Sequence, residues 1–303
     1  MDITLALGGG GVKGSAHVGV LRALDREGIR IKALAGTSAG GLWGGFYAAG
    51  YPPDDIMEVM NRLDPDTMYN REQGDGPALL GLAGIRDLLN ENLGGLTFDK
   101  LKIPFAVTAV NLNTAELVII QNGLVAEAIL ATIAIPGIFP PVNLGGETLI
   151  DGGLLDPVPV RLARSLSPNL PVVSVVLSPA LDGWAESGRP SLFDSIPYMA
   201  KYIAKLRIAK ALDIFLRSVD IAGVMMTELR LQNDLPEIII RPDVPQAGLL
   251  DKIDPREFAR MGEMATQAAL PKIYQSMPWY LRLKRKMTQY FTNFDLTGTK
   301  NDA

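Results

Sequence analysis

The sequence has 303 residues, of which 48% are hydrophobic and 20% are charged, a composition typical of a folded globular protein and not of a disordered chain. Its formal net charge of -4 provides no overall positive field for holding a nucleic acid. The lack of cysteine excludes disulfides, thiolate nucleophiles and cysteine-bound metals, and a single histidine, His17, excludes the usual two-histidine metal sites.

The N-terminal half is predicted to alternate strands and helices. Short apolar runs predict strands at 3–7, 29–35, 105–110 and 117–120, and helical periodicity predicts helices at 15–26, 39–49, 52–62, 85–93 and 124–133. Such a βαβα order indicates a parallel sheet with short crossovers. A polar loop marked by glycine and proline is expected over 64–77, where it is a candidate for a moving lid.

The C-terminal half continues this pattern. Strands are predicted at 148–150, 172–177 and 238–240, and helical regions at 191–231 and 254–287, the last broken by Pro271 and Pro278. The whole pattern predicts an α/β protein with a mostly parallel central sheet flanked by helices.

Two features bear on membranes. The N-terminus lacks the basic start and apolar centre of a signal peptide, and the apolar stretches stop short of about 18 residues, so a cytoplasmic protein is predicted. The segment 279–286 joins Trp279 and Tyr280 to four cations, which suits peripheral contact with an anionic surface at the inner membrane. The alternative for this segment is a solvated helix end that closes the fold.

A glycine-rich turn at 8–15 (GGGGVKGS) lies between the first predicted strand and helix. The Walker pattern fails because Lys13 precedes Gly14. The dinucleotide spacing that begins at Gly9 is present, but the second strand runs into Gly36 without the acidic residue that binds a ribose. A dinucleotide-binding oxidoreductase is therefore a disfavoured hypothesis, testable by NAD titration, and a purely structural turn is another.

The pentapeptide 36–40 (GTSAG) has the G-x-S-x-G pattern between an apparent strand and an apparent helix. A turn this tight would expose the Ser38 hydroxyl at a helix N-terminus, where a nucleophile is expected. The alternative is a glycine-rich turn without chemistry. A triad is improbable because His17 lies upstream of the serine, so we expect this histidine to pack or to make a local hydrogen bond.

A carboxylate can replace the histidine as base, and Asp151 is the best candidate. It follows a predicted strand, and Gly152 and Gly153 let the chain turn away while the carboxylate stays at the carboxyl edge of the sheet, near Ser38. Apolar neighbours are expected to raise its basicity. The backbone amides of Gly9, Gly10 and Gly11 could then form an oxyanion hole; the alternative for D-G-G is a simple turn.

Together these motifs resemble the patatin-like phospholipase family. The matching segments are 8–14, 36–40, 135–142, 151–153, 156–159 and 240–244, and the likeness runs from Met1 to about residue 270. The resemblance implies a patatin-like α/β/α sandwich, a Ser38–Asp151 dyad, a glycine-loop oxyanion hole and cleavage of phospholipid or lysophospholipid esters without calcium, another metal or a cofactor. Lys13, a candidate for contact with the loop or with phosphate, stands where such proteins usually carry arginine; lysine keeps the positive charge but lacks the bidentate guanidinium.

The predicted organisation is an acyl hydrolase domain over 1–270 and a helical extension near the membrane over 271–303. The predicted function is a serine acyl hydrolase that meets phospholipid or lysophospholipid substrate in transient contact with a membrane surface. The alternative is a catalytically silent lipid-binding or regulatory protein with the same fold. Headgroup, acyl position and oligomeric state leave no signal in the sequence.

Overall fold

An eight-stranded mixed sheet forms the centre of a computed structural model that describes residues 1–64, 67–181, 207–245, 247, 251 and 253–276. Its strands follow the order β5-β6-β3-β2-β1-β7-β8, and β4 also pairs with β3. The strands are β1 (Asp2–Leu7), β2 (Arg30–Gly36), β3 (Phe105–Asn111), β4 (Leu117–Ile120), β5 (Val142–Leu144), β6 (Glu147–Asp151), β7 (Val172–Val175) and β8 (Ile238–Ile240).

The mostly parallel sheet predicted from the sequence is confirmed. Strands β1, β2, β3, β7 and β8 are mutually parallel, whereas β4 and β6 pair antiparallel with β3, and β5 pairs antiparallel with β6. Strand β5 was not predicted, because its three residues (VNL) alternate over a run too short to be recognised as a strand.

Eight helices flank the sheet within the described residues. They are α1 (Ser15–Arg26), α2 (Ala39–Ala49), α3 (Pro53–Arg62), α4 (Ala83–Leu93), α5 (Val125–Thr132), α6 (Val160–Leu166), α7 (Arg207–Asp234) and α8 (Pro255–Gln275). Three short 3₁₀ helices cover Gly11–Gly14, Phe98–Lys100 and Gly152–Leu154. The first and third of these follow β1 and β6 and belong to the functional site.

The sheet is covered on both faces because successive side chains of a strand point to opposite sides. Leu5 and Leu7 of β1 belong to the larger core cluster, which also contains the buried side chains of α1 to α5 and α8. Ala6 belongs to a smaller cluster with α6 and with Leu231 of α7. The small alanines on this second face let α6 approach the sheet closely.

Helix α8 corrects one expectation, since it continues through Pro271 to Gln275. A proline inside a helix removes one hydrogen bond and strains the preceding turn. Here the helix ends four residues later and packs tightly on α1, where Gly19 and Gly262 allow backbone-to-backbone contact between the two helices. Tertiary packing therefore offsets the local cost of the proline.

Several sequence predictions fall outside the described residues. These are the helical residues 191–206, Pro278, the cationic segment 279–286 and most of the extension 271–303. The loop at 64–77 is described except for residues 65 and 66, and it consists of turns; its movement stays a prediction. Within the described residues, none of the helices has the length and continuous apolar sequence of a membrane span.

Candidate active site

Ser38 lies at a sharp turn between β2 and α2 with φ 54° and ψ -125°, a backbone conformation that costs a non-glycine residue about 1–3 kcal/mol. The close approach of helix and strand requires Gly40, because a side chain there would collide with the backbone carbonyl of Leu7. The Ser38 amide donates to the hydroxyl of Thr132 at 2.9 Å. Several fixed contacts thus hold the turn in its strained conformation.

Thr37, the neighbour of Ser38, anchors the same turn from the other side. Its hydroxyl lies 2.7 Å from the hydroxyl of Thr108 on β3 and donates to the backbone carbonyl of Asp156 at 2.9 Å. Its amide donates to the Leu7 carbonyl at the end of β1. The turn is therefore tied to two neighbouring strands and to the segment that follows the Asp151 motif.

Strand β3 aligns the two halves of the candidate dyad. Gly36 of β2 pairs with Val107, and Asp151 of β6 pairs with Ala109, two residues further along β3. Two strand residues span roughly 7 Å, so Asp151 comes close to the turn after Gly36. Asp151 ends a strand as predicted, but β6 runs antiparallel to β3, so the chain reaches Asp151 from the direction opposite to that of the parallel strands.

Asp151 is buried, and burial raises the pKa of its carboxyl group to about 6, although hydrogen bonds with the Ser38 hydroxyl and the Gly153 amide lower it in part. The Gly153 amide donates to Oδ1 at 2.7 Å, which fixes the carboxylate at the start of the 3₁₀ helix Gly152–Leu154. The structure therefore places the Asp151 carboxyl group close enough to the Ser38 hydroxyl for the two to interact, and both residues line the same cavity. A carboxyl group with this pKa is mostly ionised at neutral pH and yet more basic than an ordinary aspartate.

The segment at the end of α5 holds the backbone of both residues. Thr132, its last residue, accepts the amide of Ser38, and Ala134 accepts the amide of Asp151 at 2.9 Å. Thr132 is fully buried. Sequence reasoning missed this segment, because a threonine in the last turn of an apolar helix resembles ordinary core packing.

The three glycines predicted for the oxyanion hole differ in their hydrogen bonds. The Gly9 amide donates to the Pro157 carbonyl at 2.9 Å, so it is already used in this structure. Gly10 and Gly11 lie at the N-terminus of the 3₁₀ helix Gly11–Gly14, where amides have no partner within the helix. Among the described residues, no backbone carbonyl accepts either of these two amides.

Lys13 and His17 both hold the glycine loop. The Lys13 ammonium is buried and donates to the Leu177 carbonyl at 3.1 Å, beyond the end of β7. The His17 ring lies 2.7 Å from the Gly8 carbonyl through Nε2, and burial lowers its pKa to about 4, so the neutral ring donates this bond. The local hydrogen bond predicted for His17 is therefore observed, and the Lys13 geometry is that of a loop contact.

A cavity of about 290 Å³ opens in front of Ser38 and Asp151. Its lining is mainly apolar and includes the glycine loop, Ile135, Ile138, Leu154, Val158 and Leu177. Helix α7 closes one side with Gly223, Val224 and Thr227, and Arg217 and Asp220 of the same helix add charged groups. A mainly apolar cavity lined by a hydroxyl and a carboxyl group suits a substrate with a hydrocarbon chain.

No group of three or more histidine, aspartate or glutamate side chains in the described residues is arranged to hold a metal ion. The predicted independence from metals and cofactors stays a prediction.

Comparison with known proteins finds one matching family model and several similar chains. The family model described as patatin-like phospholipase matches residues 5–164, which include Ser38 and Asp151. An NTE family protein of Mycobacterium tuberculosis is 32% identical over 198 residues, or 63% of this chain and 53% of the relative. The chain thus spans about half the length of this relative.

Two further similarities cover more of the chain. The lysophospholipase NTE1 of Debaryomyces hansenii is 28% identical over 287 residues, which is 87% of this chain but 17% of the relative. The crystal structure of VipD from Legionella pneumophila superposes with a TM-score of 0.55 at 15% identity and covers 89% of this chain and 66% of that chain. This structural likeness concerns the fold alone.

Proposed function

The chain belongs to the patatin-like phospholipase family, and from this premise we propose that it is a serine acyl hydrolase that cleaves fatty-acyl esters of phospholipids or lysophospholipids. The observation that carries the proposal is the proximity of the Ser38 hydroxyl to the buried Asp151 carboxyl group, since both residues line one cavity. The mainly apolar lining supports an acyl chain as the part of the substrate that is bound. The similarity to a protein named lysophospholipase supports the same substrate class.

The reaction proceeds by acyl transfer in two steps. Asp151 accepts the Ser38 proton while Oγ attacks the ester carbonyl carbon, and the resulting oxyanion is stabilised by the amides of Gly10 and Gly11. Protonated Asp151 returns the proton to the departing alcohol, which leaves an acyl ester on Ser38. Asp151 then takes a proton from water, the hydroxide attacks the acyl ester, and the proton returns to Ser38 as the fatty acid leaves.

The glycine loop is suited to the oxyanion role because it is held before substrate arrives. Gly8, Gly9 and Lys13 each bond to a different backbone carbonyl, of Val175, Pro157 and Leu177. The loop is therefore fixed on both sides of Gly10 and Gly11. Donors that need no reorganisation stabilise a developing charge most effectively, and each is worth about 10²–10³ in rate.

The proposal is tested by a panel of lipid esters with released fatty acid measured by mass spectrometry. Ser38→Ala and Asp151→Asn should each lower the rate by at least about 10³-fold, since each removes one member of the dyad. A fluorophosphonate probe should label the wild type and not Ser38→Ala. The matched controls Ser165→Ala and Asp87→Asn, which change the same residue types away from the cavity, should retain full activity.

Two results would decide against the proposal. Full hydrolysis by either dyad variant would remove the mechanism. Binding of lipid by the wild type without any turnover or probe labelling would favour the alternative, a catalytically silent lipid-binding protein.

A further inference from the structure

Helix α7 exposes several large apolar side chains to solvent. Ile214, Phe215, Ile221, Met225 and Leu229 are between 44% and 65% exposed, and their spacing places them on one side of the helix. We call these five residues the α7 apolar face. Ser218, Ala222, Gln232 and Asn233 are other exposed residues on this side and are uncharged, whereas the exposed Arg217 borders the face one turn before Ile221.

An exposed helix of a globular protein normally turns charged side chains to solvent, and α7 does so with Arg217 at the border of this face. A contiguous apolar surface of this kind is typical of a site that meets another molecule or a membrane. Within the described residues, the side chains of the α7 apolar face remain exposed after folding. The described part of the fold therefore leaves this face available to a partner.

The position of α7 indicates what the partner is. The helix forms one wall of the cavity with Gly223, Val224 and Thr227 and contacts the 3₁₀ helix that follows Asp151. Leu154 of that 3₁₀ helix lines the cavity and is also exposed. Leu181, three residues beyond the cavity-lining Ser178, is exposed as well. Exposed apolar side chains thus occur on the segments that surround access to the dyad.

A substrate with its acyl chains in a bilayer must leave that bilayer to reach Ser38. Transfer is easiest when the protein surface beside the cavity is itself in contact with the lipid, because the chain then passes between two apolar environments. An uncharged face suits the acyl boundary of a zwitterionic membrane, and the net charge of -4 disfavours general attraction to anionic lipid.

From this geometry we propose that the α7 apolar face docks the protein on the surface of a lipid bilayer and presents the cavity to its substrate. The inference rests on the proposed function for the identity of the partner. It differs from the membrane role predicted for the cationic segment 279–286, because it needs apolar insertion and no anionic lipid.

The test compares two triple variants of matched exposure. Ile221→Ser, Met225→Ser and Leu229→Ser alter the α7 apolar face, while Leu112→Ser, Ile119→Ser and Met264→Ser alter exposed apolar residues that do not line the cavity. Binding is measured by flotation with phosphatidylcholine vesicles, using proteins that also carry Ser38→Ala so that the lipid stays intact. Thermal unfolding checks that both variants fold.

We expect the face variant to bind vesicles at least about tenfold more weakly than its parent, since each lost apolar contact weakens partitioning. The control variant should bind like its parent. In proteins with Ser38 intact, the face variant should lose hydrolysis of vesicle lipid to a similar extent but cleave a water-soluble short-chain ester within about twofold of the wild type.

Three results would overturn the inference: no vesicle binding by the parent, equal binding by the two variants, or a solution dimer that the face variant dissociates. The last result would assign the face to self-association. Failure of every protein to cleave the soluble ester would instead reject the proposed function, and the flotation result would still decide the role of the face.

Discussion

At the scale of single residues, the strained turn at Ser38 depends on the hydroxyl of Thr132. The Ser38 amide is buried and Thr132 accepts it at 2.9 Å. Loss of that acceptor would leave a buried donor unsatisfied, at a cost of about 1–3 kcal/mol. Thr132 is thus a positioning residue for the candidate nucleophile.

We expect Thr132→Val to lower kcat by about 10–100-fold with little change in KM, because the turn relaxes while the cavity stays intact. Thr132→Ser, which keeps the acceptor, should restore most of the rate. Steady-state kinetics on a soluble ester measures both. Thr266→Val is the control, since Thr266 is also fully buried and bonds only to the Gly262 carbonyl of its own helix. Equal losses in Thr132→Val and Thr266→Val would indicate a general effect on stability.

The raised pKa of Asp151 predicts the pH profile. In the proposed mechanism Asp151 is a base only when ionised, so kcat/KM should be constant above pH 7 and fall tenfold per pH unit well below a midpoint of about 6. The profile is measured between pH 4.5 and 9 on a soluble ester.

A second buried carboxyl group serves as the control. Burial also raises the pKa of Asp156 to about 7; the nearby Asp234 raises this pKa further, whereas Arg230 and Arg161 lower it. The midpoint should therefore persist in Asp156→Asn, and a midpoint near 3.8 in the wild type would contradict the assignment.

The sequence identified the chemical groups of the site better than their hydrogen bonds. Ser38, Asp151 and the glycine loop carry recognisable motifs, whereas the contact between the Gly9 amide and Pro157 joins residues 148 positions apart and leaves no local pattern. The same is true of Thr132, which bonds to a residue 94 positions away. Periodicity and motifs report local geometry, and these bonds depend on tertiary packing.

At the scale of elements, the alignment of β2 and β6 on β3 shows where sequence reasoning was limited. The strands themselves could be recognised from their apolar runs. The antiparallel direction of β6 could not be recognised from the sequence. The short segment 142–151 forms a β-hairpin with glycines at its turn, and its strands are too short to give a clear alternation of apolar and polar residues. Direction follows from this hairpin, which turns the chain back along β3.

Helix α8 is held on α1 by glycines, and this contact also gives a prediction. A methyl group at Gly262 would collide with the Ala16 carbonyl, whereas one at Gly223 of α7 would meet no atom within 4 Å. Gly262→Ala should therefore lower the free energy of unfolding by about 1–3 kcal/mol, while Gly223→Ala should raise it by about 0.5–1 kcal/mol. Urea unfolding of both variants makes the comparison. Equal stability would show that α1 and α8 can separate without cost.

At the scale of the whole molecule, burial of the Asp151 carboxyl group in the candidate site lowers the free energy of unfolding at neutral and higher pH. The pKa of Asp151 rises from 3.8 in an exposed carboxyl group to about 6 in the folded protein. The unfolded chain therefore binds fewer protons than the folded one between these pH values, and stability falls as pH rises through this range. By pH 8 the cost is about 3 kcal/mol.

Asp151→Asn should remove this cost, so we expect the variant to be more stable than the wild type at pH 8 by up to about 3 kcal/mol although it is inactive. The advantage should vanish near pH 3, which lies below both pKa values, because the wild-type carboxyl group is then mostly protonated in the folded and the unfolded state. Urea unfolding at the two pH values measures it. His17 is unchanged in both proteins and its pKa of about 4 affects both equally. A variant less stable than the wild type at pH 8 would contradict the origin proposed for the raised pKa.

The end of α5 holds the amides of both Ser38 and Asp151, while α7 forms the wall through which substrate would reach them. The residues that position Ser38 and Asp151 and the residues that form this wall of the cavity thus belong to different segments of the chain. Among the described residues, α7 makes no hydrogen bond to Ser38 or Asp151, so substitutions in its cavity wall are expected to change which substrates fit more than the distance between hydroxyl and carboxylate. Such modularity would let one reactive centre acquire new lipid preferences by exchange of a single helix.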